Sequence, residues 1–217
     1  MIKSGIDQDA LIDMFAEASA KQGEKLRKAV ADATLKALQG RELTLDNVRK
    51  VIKSVTQATS AGAAKNPASA VDVEAMLRKA FDGMDAALLK AVEANRKALQ
   101  QLLDQGAGLR ETQVKAALDG VEKMEDLFFS TVGKAVQGVS TPLQGPWQQV
   151  LKSMKLEGTA TGGAATQTVE QLMGQAQDAL RKGRATSLRA TQALMDSYAA
   201  MVSGVLIGMS EGLGGAV

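Results

Sequence analysis

DVEAMLRKAFDGMDAALLKAVEANRKALQQLLDQ, residues 72–105, is the stretch from which the fold of this chain is read. It contains no proline, and Val73, Leu77, Ala80, Met84, Ala87, Ala91, Ala94, Ala98 and Leu102 return every three or four positions. That period places them on one face of a long amphipathic helix. The face begins with large residues and becomes mostly alanine. It lets a partner helix come close but supplies little apolar area per turn.

The flanking sequence has the same character. Upstream, Asp7 or Asp9 can cap a helix running to about Gln39, where Gly40 stops it, with Leu11, Phe15, Ala18, Gln22, Leu26, Ala29, Ala33 and Ala37 as its stripe. Thr44 opens a second helix to about Ala61, with Leu45, Val48, Ile52 and Val55 at coiled-coil spacing. Small residues and Asn66-Pro67 within 60–69 mark a linker, since proline disfavours helix at the residue before it. Downstream, Gly106 and Gly108 cost about 2 kcal/mol together relative to alanine in a helix, so the central helix breaks there. A further helix is expected over 109–137, then a short one opened by Pro142 and Pro146 and carrying Trp147, Val150, Leu151 and Met154. GTATGGAATQT, residues 158–168, has linker composition, and a last long helix follows it.

The order of charges supports helix independently. Glu17/Lys21, Glu24/Lys28, Asp32/Lys36, Asp46/Lys50, Glu74/Arg78, Glu93/Lys97, Glu111/Lys115 and Asp178/Lys182 are acid-first pairs four residues apart. This is the favourable orientation on a helix, worth about 0.2–0.5 kcal/mol each. The fold class that results is all-α: long amphipathic antiparallel helices forming a bundle or coiled-coil assembly with flexible linkers. The divisions are 1–62, a helical hairpin; 63–71, a linker; 72–157, a second hairpin with the short tryptophan-bearing helix; 158–168, a second linker; and 169–217, a long helix with an apolar tail.

Composition narrows function more than any motif does. The 217 residues are 45% hydrophobic but only 3% aromatic, and they include no cysteine and no histidine. No thiolate nucleophile, Cys- or His-based metal site, disulfide or serine–histidine triad can be assembled. The expectation is therefore a protein that is not an enzyme, with no cofactor, metal or small-molecule substrate. The net charge of +2 comes from 26 basic and 24 acidic side chains with their signs interleaved. Nucleic acid is accordingly not favoured as a partner, and the basic groups at Lys21, Lys25, Arg27, Lys28, at Arg49, Lys50, Lys53 and at Arg181, Lys182, Arg184, Arg189 are expected to be a solvated face, with attraction to an anionic surface as the alternative. Asp7, Asp9, Asp13 and Glu17 lack the spacing of a calcium loop and suit the positive end of a helix. The first residues, MIKSGIDQDALIDMF, carry acids before any apolar run, unlike a signal peptide, so a cytoplasmic location is expected.

The most apolar run is SYAAMVSGVLIGMS, residues 197–210. Its fourteen residues would reach roughly 21 Å as a helix, short of a hydrocarbon core of about 30 Å. Burial at the end of a bundle, a subunit contact, and insertion into an apolar surface are all open to it.

The stretch 9–58, DALIDMFAEASAKQGEKLRKAVADATLKALQGRELTLDNVRKVIKSVTQA, resembles an uncharacterised family of proteobacterial cytoplasmic helical proteins, a resemblance that implies no activity. In its alanine-rich amphipathic helices, scarce aromatics and lack of cysteine, most of the chain also resembles phasins, which coat polyhydroxyalkanoate granules. The second linker and the glycine-bearing apolar C-terminus depart from that pattern. The resemblance implies self-association and a coat on a polymer granule or lipid surface. Its anchors, or the contacts of an oligomer, would be Phe15, Phe81, Phe128, Phe129, Trp147, Tyr198, Met201, Val205, Leu206, Ile207 and Met209. The alternative is a scaffolding homo-oligomer with no surface-binding role.

Overall fold

The computed structural model describes residues 6–18, 22–39, 43–67, 69–104, 111–182, 202, 203 and 205. Eight helices lie among the described residues: α1 (Gln8–Glu17), α2 (Gly23–Gln39), α3 (Leu45–Lys65), α4 (Ala70–Asp104), α5 (Glu111–Glu122), α6 (Met124–Val136), α7 (Thr141–Glu157) and α8 (Ala160–Lys182). No strand occurs among the described residues.

Local capping explains where several helices start. Asp7 is the N-cap of α1 and accepts a hydrogen bond from the Ala10 amide at 3.0 Å. Thr44 does the same for α3 through the Asn47 amide at 3.2 Å. The single helix expected to run to Gln39 is divided instead, because α1 ends at Glu17 with Ala18 extended. The exposed end is satisfied from a distance: Asn66 Nδ2 donates to the carbonyls of Phe15 (2.7 Å) and Ala18 (2.8 Å).

The helix expected over 109–137 is bent at Lys123 into α5 and α6. Backbone bonds from Lys123 N to the Asp119 carbonyl and from Leu127 N to the Lys123 carbonyl carry the ladder across the bend. α7 begins with Pro142 in its first turn and keeps Pro146 inside. It stops at Gly158, whose φ of 77° is a backbone conformation that suits glycine.

Both expected linkers are shorter than composition suggests. The first is helical through Lys65, and Asn66, Pro67 and Ser69 lie outside any helix before α4 begins at Ala70. The second is a correction of a larger kind: only Gly158 and Thr159 are non-helical, and Ala160 begins α8. Gly162 and Gly163 make that segment a poor helix by itself, at about 2 kcal/mol relative to alanine. Its first turn is held by Asp85 of α4, which accepts from the amides of Ala160 (2.9 Å) and Thr161 (3.1 Å).

The packing is organised on α4, which lies against α2, α3, α5, α7 and α8. One hydrophobic core runs from Leu11 and Phe15 in α1 through α2, α3, α4, α6 and α7 to Ala165 in α8. The alanine face of α4 is fully used, since Ala80, Ala91, Ala94 and Ala98 are inaccessible to solvent. Two glycines set the closest helix approaches. A Cβ on Gly83 would lie 2.5 Å from the Arg27 carbonyl oxygen and 2.9 Å from Val30 Cβ, and one on Gly62 would overlap the Ile12 carbonyl oxygen. Along both contacts the residue numbers advance together, from Gly23 at Lys79 to Arg27 at Gly83, and from Ile12 at Gly62 to Phe15 at Asn66. These pairs, α2 with α4 and α1 with α3, therefore run in the same direction. Antiparallel packing does not describe these two contacts.

Of the acid-first pairs, Asp46–Lys50 closes at 2.7 Å. Others are drawn to neighbouring helices. Glu24 binds Lys79 of α4 at 2.8 Å as well as Arg27, and Arg78 binds Glu157 and Ser153 of α7. Thr131 Oγ1 is buried without a hydrogen-bond partner among the described residues. Thr131→Val removes that desolvated hydroxyl at nearly constant shape and is expected to raise stability by about 1 kcal/mol in a urea titration. A loss of the same size would show that the hydroxyl is bonded in solution.

Candidate functional site

Three of the candidate aromatic residues converge. Phe81 of α4 stacks on Phe128 of α6 with centroids 4.4 Å apart, and Phe129 lies 5.5 Å from Phe81. Neighbours on a helix point about 100° apart, so Phe128 and Phe129 cannot share one environment. Phe128 is fully buried, whereas Phe129 is half-buried at the margin of the core. Lys155 of α7 places its ammonium 5.8 Å from the Phe129 ring centroid, within reach of the ring quadrupole.

This margin is the floor of an open groove of about 710 Å³ between α6 and α7, lined by Glu125, Asp126, Phe129, Lys134, Lys155 and Gly158 among others. Its lining mixes both signs of charge with one aromatic face. One end of the groove meets the start of α8. There Glu125 accepts a hydrogen bond from the Thr159 hydroxyl, and Thr159 Oγ1 in turn accepts from the Gly162 amide at 2.9 Å. Thr161 Oγ1 donates to the Asp85 carbonyl at 3.0 Å. The carboxylates of Asp85 and Glu125 thus form a clasp on α8 that the spacing of residues in the sequence does not announce.

Phe15 and Trp147 lie elsewhere in the same core. Both are fully buried, and the Trp147 indole donates to Ser60 Oγ of α3 at 2.9 Å. In the folded chain, Phe15, Phe81, Phe128 and Trp147 are therefore core residues, and contact with an external surface would require the helices to part. In the tail, Val202 is buried in the core and Val205 packs against it. Tyr198, Met201, Leu206, Ile207 and Met209 lie outside the described residues. The exposed large apolar side chains are Met14, Leu156 and Met173 among the described residues.

Charge on α4 is balanced by its neighbours. Hydrogen bonds from Lys79 and then Arg27 hold the Glu24 carboxyl below its usual range, and Ser153 and then Arg78 do so for Glu157. The stability these two contribute is present at neutral pH and is lost as the pH falls through the carboxylate range. Asp82 behaves in the opposite sense. Burial, opposed by Lys79 and Arg78 and reinforced by Asp85, raises its carboxyl above the ordinary value. Its ionised form is the costly one, so stability falls as the pH rises through its folded value. Asp82→Asn is expected to melt at a higher temperature than the parent at pH 7, with the gain gone by about pH 3, where the native carboxyl is protonated. An unchanged difference between the two pH values would refute the assignment.

These features define a class: an all-helical protein whose amphipathic helices share one core around a central 35-residue helix. The chain belongs to a family of unknown function, DUF6781, which it matches over residues 1–215. No curated protein and no solved structure shows significant similarity to it. The family carries no assigned activity, in keeping with the resemblance to an uncharacterised family, and the phasin likeness stands as a proposal. No helix among the described residues is long and apolar enough to cross a membrane.

Proposed function

We propose that this is a non-enzymatic, phasin-like protein that coats an apolar granule or membrane surface with its amphipathic helices. The observation that carries this reading is how the core is divided. Bulky anchors, Phe15, Phe81, Phe128 and Trp147, are stored inside, while the second half of α4 buries the single methyl groups of Ala91, Ala94 and Ala98 beside Leu88, Val92 and Leu99 and no aromatic ring. Burial stabilises by about 25 cal/mol per Å² of apolar area, so an alanine interface holds its partner weakly. An apolar surface can replace the partner helix, and the anchors are delivered to it when the helices part between α3 and α4 and between α7 and α8. Coiled-coil packing against further copies, and self-association on the surface, belong to the same reading.

The test uses the only tryptophan in the chain. Sedimentation with polyhydroxybutyrate particles and with anionic phospholipid vesicles should carry the protein into the pellet, with Trp147 emission altered and helical circular dichroism retained. Lys79 Cγ lies 3.2 Å from where a Gly23 Cβ would sit, so a Gly23→Cys/Lys79→Cys disulfide can tie α2 to α4 in an otherwise cysteine-free chain. The oxidised variant should stay in the supernatant and regain binding on reduction. If the unmodified protein also stays in the supernatant, the coat is wrong. A fixed, concentration-dependent oligomer by light scattering would then favour the scaffolding alternative.

A further inference from the structure

We infer that α8 is a conditional strap, helical over residues 160–168 only while Asp85 and Glu125 clasp it, and that its release is the first step of opening. That last clause rests on the proposed coating role; the strap itself does not.

Residues 160–168 are ATGGAATQT, two glycines and three threonines that give little intrinsic tendency to helix. The first amides of any helix lack partners within it. Here those partners come from other helices. Asp85, only 7% exposed, accepts from Ala160 N and Thr161 N, and its backbone carbonyl accepts the Thr161 hydroxyl. Glu125 takes the Thr159 hydroxyl, which relays to Gly162 N. The fit is close, since a Cβ on Gly162 would overlap the Glu125 carboxylate. Gly162 is thus the residue that lets the clasp shut. Gly163, one position on, has nothing from another element among the described residues within 4 Å of where its Cβ would be, so it weakens the helix without serving the contact. Only Gly158 and Thr159 join α7 to α8, and the φ of 77° at Gly158 puts a glycine at the pivot. A segment with weak local helix preference, a polar clasp supplied from afar and a glycine pivot can detach while the rest of the core persists.

Amide hydrogen exchange on the full chain, read by mass spectrometry, tests the strap without any surface. Amides of 160–168 should be protected in the parent. Asp85→Ala should speed their exchange by about tenfold or more, as loss of a helix cap does, while α3 stays as protected as before. Gly163→Ala should slow exchange over 160–168 in the parent and restore much of the protection in Asp85→Ala. Faster exchange in every helix at once would show that α8 is no independent unit, and unchanged exchange would show that the clasp does not hold it; either overturns the inference. Should Asp85→Ala fail to fold, Gly163→Ala alone decides, since the strap fails if protection over 160–168 does not rise. Particle sedimentation of the same variants is separate. A strap that behaves as described in a protein that never pellets would stand without the coating role.

Discussion

Trp147→Ala is expected to lower the unfolding free energy by about 3–5 kcal/mol, measured by urea titration of the helical circular dichroism signal. The indole is wholly buried where α7 crosses α3, and its removal leaves a cavity that the rigid helix pair cannot collapse into. It also strips a partner from a buried polar chain, in which Trp147 Nε1 donates to Ser60 Oγ at 2.9 Å and Ser60 donates to the Thr56 carbonyl at 2.6 Å. Two milder substitutions separate these effects. Trp147→Phe keeps most of the volume and loses the hydrogen bond, whereas Ser60→Ala keeps the indole and leaves its N–H buried without that acceptor, a cost of about 1–3 kcal/mol. A domain of this kind has about 5–15 kcal/mol in total, so the alanine variant should sit near its unfolding threshold. A measured loss below about 1 kcal/mol would mean that Trp147 is not in the core.

Gly62→Ala should be nearly as damaging, at about 3 kcal/mol, although it adds only one methyl group. The new Cβ would overlap the Ile12 carbonyl oxygen and lie 2.6 Å from Phe15 Cβ. Neither is the free end of a flexible side chain, so α1 and α3 must separate, and overpacking of this type falls in the upper part of its usual range. The Asn66 bonds to the Phe15 and Ala18 carbonyls would be strained in the same movement. Gly120→Ala is the control of opposite sign. Nothing beyond its own helix among the described residues lies within 4 Å of its Cβ position on α5, so there alanine should stabilise by about 0.5–1 kcal/mol. If both substitutions have the same sign, the close approach of α1 to α3 is wrong.

Much of the secondary structure was legible beforehand because it is governed by neighbours in sequence. The central helix was expected over 72–105 and spans Ala70–Asp104, and both Asp7 and Thr44 cap the helices they precede. Each of these depends on contacts three or four residues apart, which periodicity and residue type report directly. The candidate site was legible only as a set of large apolar residues. That Phe81, Phe128 and Phe129 meet, and that Phe129 alone of them reaches the groove, depends on how α4 and α6 cross.

What the amino-acid sequence determined without help was an all-helical chain, its main helix and the amphipathic face of each segment, because a helix satisfies its backbone within a span of four residues. Tertiary structure alone decided which weak segments became helix and which charges paired. The 158–168 stretch has the composition of a linker and is nevertheless largely helical, because its caps, Asp85 and Glu125, lie 75 and 34 residues away in the chain. Asn66 likewise ends α1 from 51 residues downstream. A cap supplied from such a distance leaves no mark on local spacing, since it exists only once the helices that carry it have packed.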